Sequence, residues 1–322
     1  MRVGVDVSPL IQTRAGTARH VRGLVGALRD LDGVELELLD FGGPGRVSSV
    51  ARDALWYPLG LRRSARGLDL LHCTTFRGPA RASVPVVLTV HDLAVLRHPE
   101  WFPRWHRQYG RIGLRRVLRR ADALVAVTDF TRHEVVELAG IAETRVHVVP
   151  NGVDETFVAE GPRAEGDYVL AVGTLEPRKN LARTVEAARL AGVELRVVGA
   201  RGWGGVEVPG WVGEATDAEL ASLYRGARCV LFPSLYEGFG LPVLEAMACG
   251  VPVVTSKGGA TEEVAGGAAV LVDPLDASSI AGGIAEAEAR RDELVERGRA
   301  RAREFTWERT AADVVVLWRE LA

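Results

Sequence analysis

What most limits the fold of this chain is a pattern that occurs in it twice: short, continuous apolar runs separated by stretches of helical period. In the first half the runs are RVGVDV (2–7), VELELL (34–39), LDLLHC (68–73), VPVVLTVHD (84–92), ALVAVT (123–128) and RVHVVP (145–150). Helical stretches fall between them, from about Thr17 to Leu31, over 103–120 and over 130–139. The second half repeats the scheme with YVLAVG (168–173), LRVVG (195–199), CVLFPS (229–234), VPVVTS (251–256) and AVLVD (269–273). Its helices start at Asn180, cover 217–226, start again at Pro242, recur near 260–265 and fill most of the remainder. A strand that is apolar on both sides must be covered on both faces, which means a parallel sheet between helical layers. The expectation is α/β: two doubly wound domains in series, joined near PNGVDETF (150–157), a segment rich in turn residues. Such sheets bind ligands outside the carboxyl ends of their strands, so the residues that follow strands carry the functional information.

Composition narrows the function classes. The chain is 47% hydrophobic and 25% charged, as a soluble globular protein is, and it has no apolar run long enough to span a membrane. Met1-Arg2 leads straight into a strand with no signal-peptide pattern, so a cytoplasmic protein is expected. Cys73, Cys229 and Cys249 stand singly in apolar surroundings without metal-ligand spacing, and are expected to be buried reduced thiols. Residues 1–150 carry 22 Arg against 15 acidic residues, and the remainder 18 basic against 27 acidic, so the halves face different partners or are unevenly solvated. The segment 97–120 holds eight arginines and one glutamate interleaved with Trp101, Phe102, Trp105 and Tyr109. It is a candidate contact with the inner face of a membrane or an anionic acceptor. The overall acidic balance and the lack of a recognition motif argue against a nucleic-acid partner. Asp30-Leu31-Asp32 has the form of a metal-binding D-x-D, but it lies near a helix end where no strand delivers it to a crevice.

Two stretches carry the chemistry. EGFGLPVLEAMACG (237–250) follows a strand. Gly238 and Gly240 permit a tight turn, Pro242 suits the first helical position, and Gly250 suits the position just past the helix. The free N–H groups at that helix start favour a phosphate or diphosphate, while Glu237 and Glu245 can accept hydrogen bonds from sugar hydroxyls. GTLEPRKN (173–180) also follows a strand and presents Arg178 beside Lys179. The chain has only one other lysine, Lys257, so a lysine here is a choice rather than a default. Two adjacent cations at a strand end suit the charge of a leaving diphosphate.

With VHDLAVLRHPEWFP (90–103), PNGVD (150–154), GWV with the following ELASLYRGA helix (210–227) and FTWERTA (305–311), these stretches resemble the family 4 retaining glycosyltransferases, glycosyl transferases group 1, over nearly the whole chain. The resemblance is to mannosyltransferase-like members. It implies the GT-B fold, two Rossmann-like domains facing each other across a cleft: an acceptor-binding domain over 1–157, a nucleotide-sugar domain over 158–304, and a C-terminal helix over 305–322 that returns to the first domain. It implies that Glu237 contacts donor hydroxyls, Glu245 the ribose, and Arg178 and Lys179 the diphosphate. The backbone of Phe239, Gly240 and Leu241 would line the sugar and distal phosphate, His91 would stand in the catalytic centre, and Trp211 and Val212 would hold the nucleobase. Family members have a more glycine-rich loop after the first strand than SPLIQTRAGTARH (8–20), where Gly16 is the best match.

The reading is therefore a metal-independent, cofactor-free hexosyltransferase that moves a sugar, with retention, from a nucleoside diphosphate to a hydroxyl of a glycan, lipid-linked saccharide or small molecule. GDP-mannose is the favoured donor, by analogy. Rival readings are a dinucleotide-dependent oxidoreductase, which lacks its G-x-G-x-x-G, a phosphorylase, which would need a pyridoxal phosphate lysine, and a non-catalytic nucleotide-sugar-binding protein.

Overall fold

A computed structural model describes residues 1–12, 16–79, 81–102, 113–202 and 208–322. The chain separates into two compact units, one of Met1–Gly152 with Trp307–Ala322 and one of Val153–Thr306. Among the described residues each unit holds one six-stranded sheet in which every pairing is parallel.

In the first unit β1 (Arg2–Asp6), β2 (Glu35–Leu39), β3 (Leu70–Cys73), β4 (Val86–Val90), β5 (Ala123–Ala126) and β6 (Val146–Val148) lie in the order β2-β1-β3-β4-β5-β6. The continuous apolar runs behave as expected of strands covered twice. Leu71, Leu88 and Leu124 enter one core, while their neighbours Leu70, Val87 and Val125 enter the other. The second core is closed by the helix Gly16–Arg29 and by the last helix, Trp307–Leu321, whose Ala311, Val314, Val315, Leu317 and Trp318 pack on it. The contact is close because residue 23 is glycine: a Cβ there would stand 2.1 Å from the Trp307 ring. Trp318 Nε1 donates to His72 Nδ1 at 3.2 Å, which satisfies the one polar group of a buried indole.

In the second unit β7 (Tyr168–Val172), β8 (Glu194–Val198), β9 (Trp211–Gly213), β10 (Val230–Phe232), β11 (Val253–Ser256) and β12 (Val270–Val272) lie in the order β12-β11-β10-β7-β8-β9. Local sequence explains where the helices begin. Thr216 and Glu219 cap the helix Asp217–Gly226 reciprocally, the threonine side chain on the Glu219 N–H and the glutamate on the Thr216 N–H at 2.8 Å. Gly240, with φ 104°, precedes the helix Leu241–Ala248. Each sheet changes winding direction next to its first strand, at β1/β3 in the first unit and at β7/β10 in the second, and such switch points open the crevice that takes a ligand.

Two elements went unread in the sequence. The stretch between Leu39 and Leu68, given no element, is helical as Arg46–Ala51, a π-helix over Arg52–Gly60, and Leu61–Ser64. Pro58 and Gly60 read as breakers, and the apolar spacing of the wider π turns does not match a period of 3.6. GWV contributes to the edge strand β9, too short to announce itself. Asn180 starts the next helix as expected: it is the residue immediately before Leu181–Ala191, in the left-handed conformation, its carbonyl accepting from the Thr184 N–H at 3.1 Å while its side chain is engaged elsewhere. Of the helix expected over 103–120, residues 103–112 lie outside the described residues, and Arg115–Arg120 is α-helical.

Candidate active site

The loops after β7 and β10 meet at the β7/β10 switch point, and both chemical stretches are on them. The loops are tied to each other by the Leu235 N–H, which donates to Arg178 O at 2.8 Å. Asn180 ties them more widely: its Nδ2 donates to Pro233 O at 2.9 Å and to Pro274 O at 2.6 Å, joining the ends of β7, β10 and β12. Those bonds are the reason that a buried asparagine tolerates φ 57°.

On this frame Glu237 bridges the two cations. Arg178 Nη1 lies 2.8 Å from its Oε2 and Lys179 Nζ 2.5 Å from its Oε1. Glu176, which the sequence reading passed over, takes Arg178 Nε at 2.6 Å and holds the guanidinium from its other side. Lys179 Nζ also lies over the Phe232 ring, 4.7 Å from its centroid. Burial pushes the Glu237 carboxyl up, but Arg178 and then Lys179 outweigh it and hold the group below its ordinary range. Glu176 goes the other way: burial raises it, and the same cations only partly compensate. The result is a desolvated set of two acids and two bases at a ligand crevice, where charge is worth far more than in water.

The turn beyond Glu237 is rigid. Phe239 is buried edge-on to Phe305 at 6.0 Å, Leu241 is buried, and only glycine adopts the Gly240 backbone without strain. The helix that follows starts at Leu241 and directs the positive end of its dipole back at the turn. Glu245, on the same helix, is buried and accepts from Tyr224 Oη at 2.9 Å. Trp211 and Val212 lie on β9, beside the end of β8, with Trp211 Nε1 donating to Gly199 O at 2.9 Å and Val212 half exposed.

The first unit has its own cluster at the β1/β3 switch point. His91, just past β4, donates from Nε2 to Thr74 O at 2.9 Å, since a carbonyl can only accept, and this leaves Nδ1 with its lone pair. Burial lowers its pKa, so the ring is neutral. His20, four residues after Gly16 on the helix Gly16–Arg29, stands edge-on to it at 4.6 Å between centroids, with its Nδ1 2.7 Å from Asn151 Oδ1. Asp6 ends β1 fully buried, bonded to Ser8 Oγ at 2.6 Å, and burial pushes it up to about 6. Sequence reading missed both His20 and Asp6. The place of Asp6 at the end of a first strand was the available signal; nothing local marked His20. Of the loop 8–20, residues 13–15 lie outside the described residues.

Comparison with known proteins decides the family. Residues 153–305 match the model for glycosyl transferases group 1 and residues 14–157 the model for glycosyltransferase family 4. The chain is a family 4 glycosyltransferase. This glycosyltransferase is 32% identical to the O-antigen chain mannosyltransferase B of Escherichia coli, over 71% of its own length and 68% of the relative's. It is 30% identical to a D-inositol 3-phosphate glycosyltransferase of Salinispora tropica, over 98% of its own length and 75% of the relative's. Its fold is GT-B. The sucrose-phosphate synthase of Thermosynechococcus elongatus superposes with a TM-score of 0.80 at 20% identity, over 100% of this chain and 99% of that one. Anabaena Alr3699/HepE in complex with UDP-glucose does so with 0.75 at 19%, over the whole of both chains. Among the described residues no helix of the glycosyltransferase is long and apolar enough to cross a membrane, and its three cysteines are buried and free, as expected.

Proposed function

We propose that the glycosyltransferase moves a hexose from a nucleoside diphosphate sugar to an acceptor hydroxyl with retention at the anomeric carbon, with GDP-mannose as donor and without a metal. The observation that carries this reading is the Glu237 carboxylate lodged between Arg178 and Lys179 at a switch point. In this reading the carboxylate holds the place of the donor diphosphate. When the diphosphate arrives, the cations turn to it and Glu237 is released to accept hydrogen bonds from the donor sugar. Cation placement and sugar capture are then one event.

Cleavage of the anomeric bond leaves negative charge on the diphosphate, which Arg178, Lys179 and the helix start at Leu241 stabilise as it develops, taking the place a metal has elsewhere. The acceptor attacks from the face the diphosphate leaves, and its proton goes to a donor phosphate oxygen. His91, neutral and with Nδ1 available to accept, takes a sugar hydroxyl; Gly16 lets backbone approach the phosphate; Glu245 takes the ribose, and backbone at Trp211 and Val212 the base. Mannose as the sugar is supported by the E. coli relative, a mannosyltransferase. The acceptor is a glycan, a lipid-linked saccharide or a small molecule.

The test is thermal stabilisation by GDP, UDP, dTDP, ADP and NAD, since a ligand at one hundred times its Kd adds about 2.7 kcal/mol to the folded state. A rise with GDP that disappears in Arg178→Ala/Lys179→Ala supports the reading; a rise with NAD alone overturns it. Retention is tested on the product, where an inverted anomeric configuration by NMR would refute it.

A further inference from the structure

The helical stretch 46–64 is apolar on two faces, where a helix on the surface of a domain needs one. Its inner face is set by Tyr57, Leu61 and Ala65, all buried in the first unit's core, with Arg52 beside them bonded to Phe41 O at 2.9 Å and Gly43 O at 3.0 Å. Its outer face carries Val47, Val50, Leu55 and Leu59, which are 84%, 68%, 56% and 46% exposed. A step of three in the α-helical part, and of four or five in the wider π-helix, each bring the chain round by about one turn, so the four share one stripe. Phe41, partly exposed, stacks on Trp56 beside it at 5.5 Å. The stretch then ends in Arg62 and Arg63, followed by Arg66, all exposed and making no ion pair among the described residues. The one acid of the stretch, Asp53, is held by Arg77 at 3.4 Å, so the charge of this face is positive.

Four large apolar side chains in a row in water are unfavourable, and they mark a surface that is covered in use. What covers it must accept apolar side chains along the stripe and supply negative charge at one end. We propose that the outer face of residues 47–66 docks on an anionic lipid surface. Val47, Val50, Leu55 and Leu59 enter the boundary between headgroups and acyl chains, and Arg62, Arg63 and Arg66 lie against lipid phosphates. This surface is separate in sequence from 97–120, and the inference does not rest on the transferase reading.

The experiment is flotation of the intact protein, without donor, on vesicles of phosphatidylcholine alone and of phosphatidylcholine with phosphatidylglycerol. The protein floats with the anionic vesicles at low salt, less so at high salt, and not with the neutral ones. Each arginine near an anionic surface is worth roughly fivefold in partitioning, so Arg62→Gln/Arg63→Gln weakens binding about 25-fold. Leu55→Ser/Leu59→Ser abolishes stable insertion while both double variants keep the native melting temperature and circular dichroism, since all four side chains are exposed. Three results overturn the inference: a wild type that floats with neither vesicle, variants that float as well as the wild type and so place the contact elsewhere, or a Leu55/Leu59 variant whose only change is loss of self-association, which would make the cover a second copy of the chain.

Discussion

Replacing Lys179 with methionine keeps an unbranched side chain over Phe232 and removes only the charge. Glu237, 9% exposed at its side chain, then loses Nζ at 2.5 Å and keeps Arg178 Nη1 at 2.8 Å. Breaking a buried pair so that one charge is stranded costs about 3–5 kcal/mol. With one cation still in place the cost falls to about 2–3 kcal/mol, nearer that of a lost charge-assisted hydrogen bond. For a unit the size of Val153–Thr306 that lowers its Tm by about 5–10 °C. Glu237→Gln strands Lys179 instead and is costly for the same reason. Lys179→Met/Glu237→Gln leaves neither charge alone, so it is more stable than the sum of the single changes by about 1–3 kcal/mol. The pH dependence has a definite sign. In the wild type the Glu237 carboxyl is held below its ordinary 4.5, so the stability it contributes is complete above pH 4.5 and is lost as pH falls through the lower folded value. Without Lys179 the carboxyl takes up its proton at a higher pH, and the gap between wild type and variant narrows once Glu237 is protonated in both. Calorimetric melts of the three variants at neutral pH and below pH 4.5 measure all of this. Strict additivity in the double variant, or a gap that does not change with pH, would show that the three groups do not form one electrostatic unit.

Other consequences can be checked as directly. Gly240→Ala puts a Cβ on a residue with φ 104° and 3.0 Å from Thr261 Cγ2; we expect a loss of about 1–2 kcal/mol in urea unfolding and a smaller Tm rise with nucleoside diphosphate. Gly23→Ala favours the helix by about 1 kcal/mol in propensity, but its Cβ falls 2.1 Å from Trp307, so the net change is destabilising by about 1–3 kcal/mol. Tyr224→Phe removes the bond to the buried Glu245 carboxylate and costs about 1–3 kcal/mol, visible as a lower denaturation midpoint. His72 is buried and lowered from 6.5 to about 3, and burial lowers His20 and His91 as well. The stability these neutral rings contribute is complete above pH 6.5 and is lost as pH falls from there. Calorimetry in buffers of different ionisation enthalpy should therefore detect proton uptake on unfolding below pH 6.5; no uptake would mean the rings are already charged in the fold.

The sheets were readable because their strands are apolar on both sides, and only a doubly covered parallel sheet buries Leu70–Cys73 and ALVAVT whole. Arg178, Lys179 and Glu237 were readable as chemistry because each follows a strand, but not as a bonded set: Arg178 and Glu237 are 59 residues apart, and no local rule links them. Glu176 was hidden because a glutamate before a proline reads as a turn residue. The side-chain bonds of Asn180 were hidden for a related reason, since its Pro233 and Pro274 partners lie 53 and 94 residues away. His20 depends on Asn151 at the far end of the unit, 131 residues on. The helical stretch 46–64 was lost to its own breakers, because a π turn absorbs Pro58 where an α turn would not.

The last helix gives the chain a temporal order. Val153–Thr306 is contiguous, so everything its sheet requires has been synthesised before residue 307 leaves the ribosome. The other unit cannot finish then: the layer over β1 and β3 still lacks Val314, Val315, Leu317 and Trp318, and His72 lacks the indole that bonds it. The unit translated first is thus the unit completed last, and for as long as the intervening residues take to synthesise, one face of its sheet has the helix Gly16–Arg29 and waits, part covered, for a helix from much later in the chain.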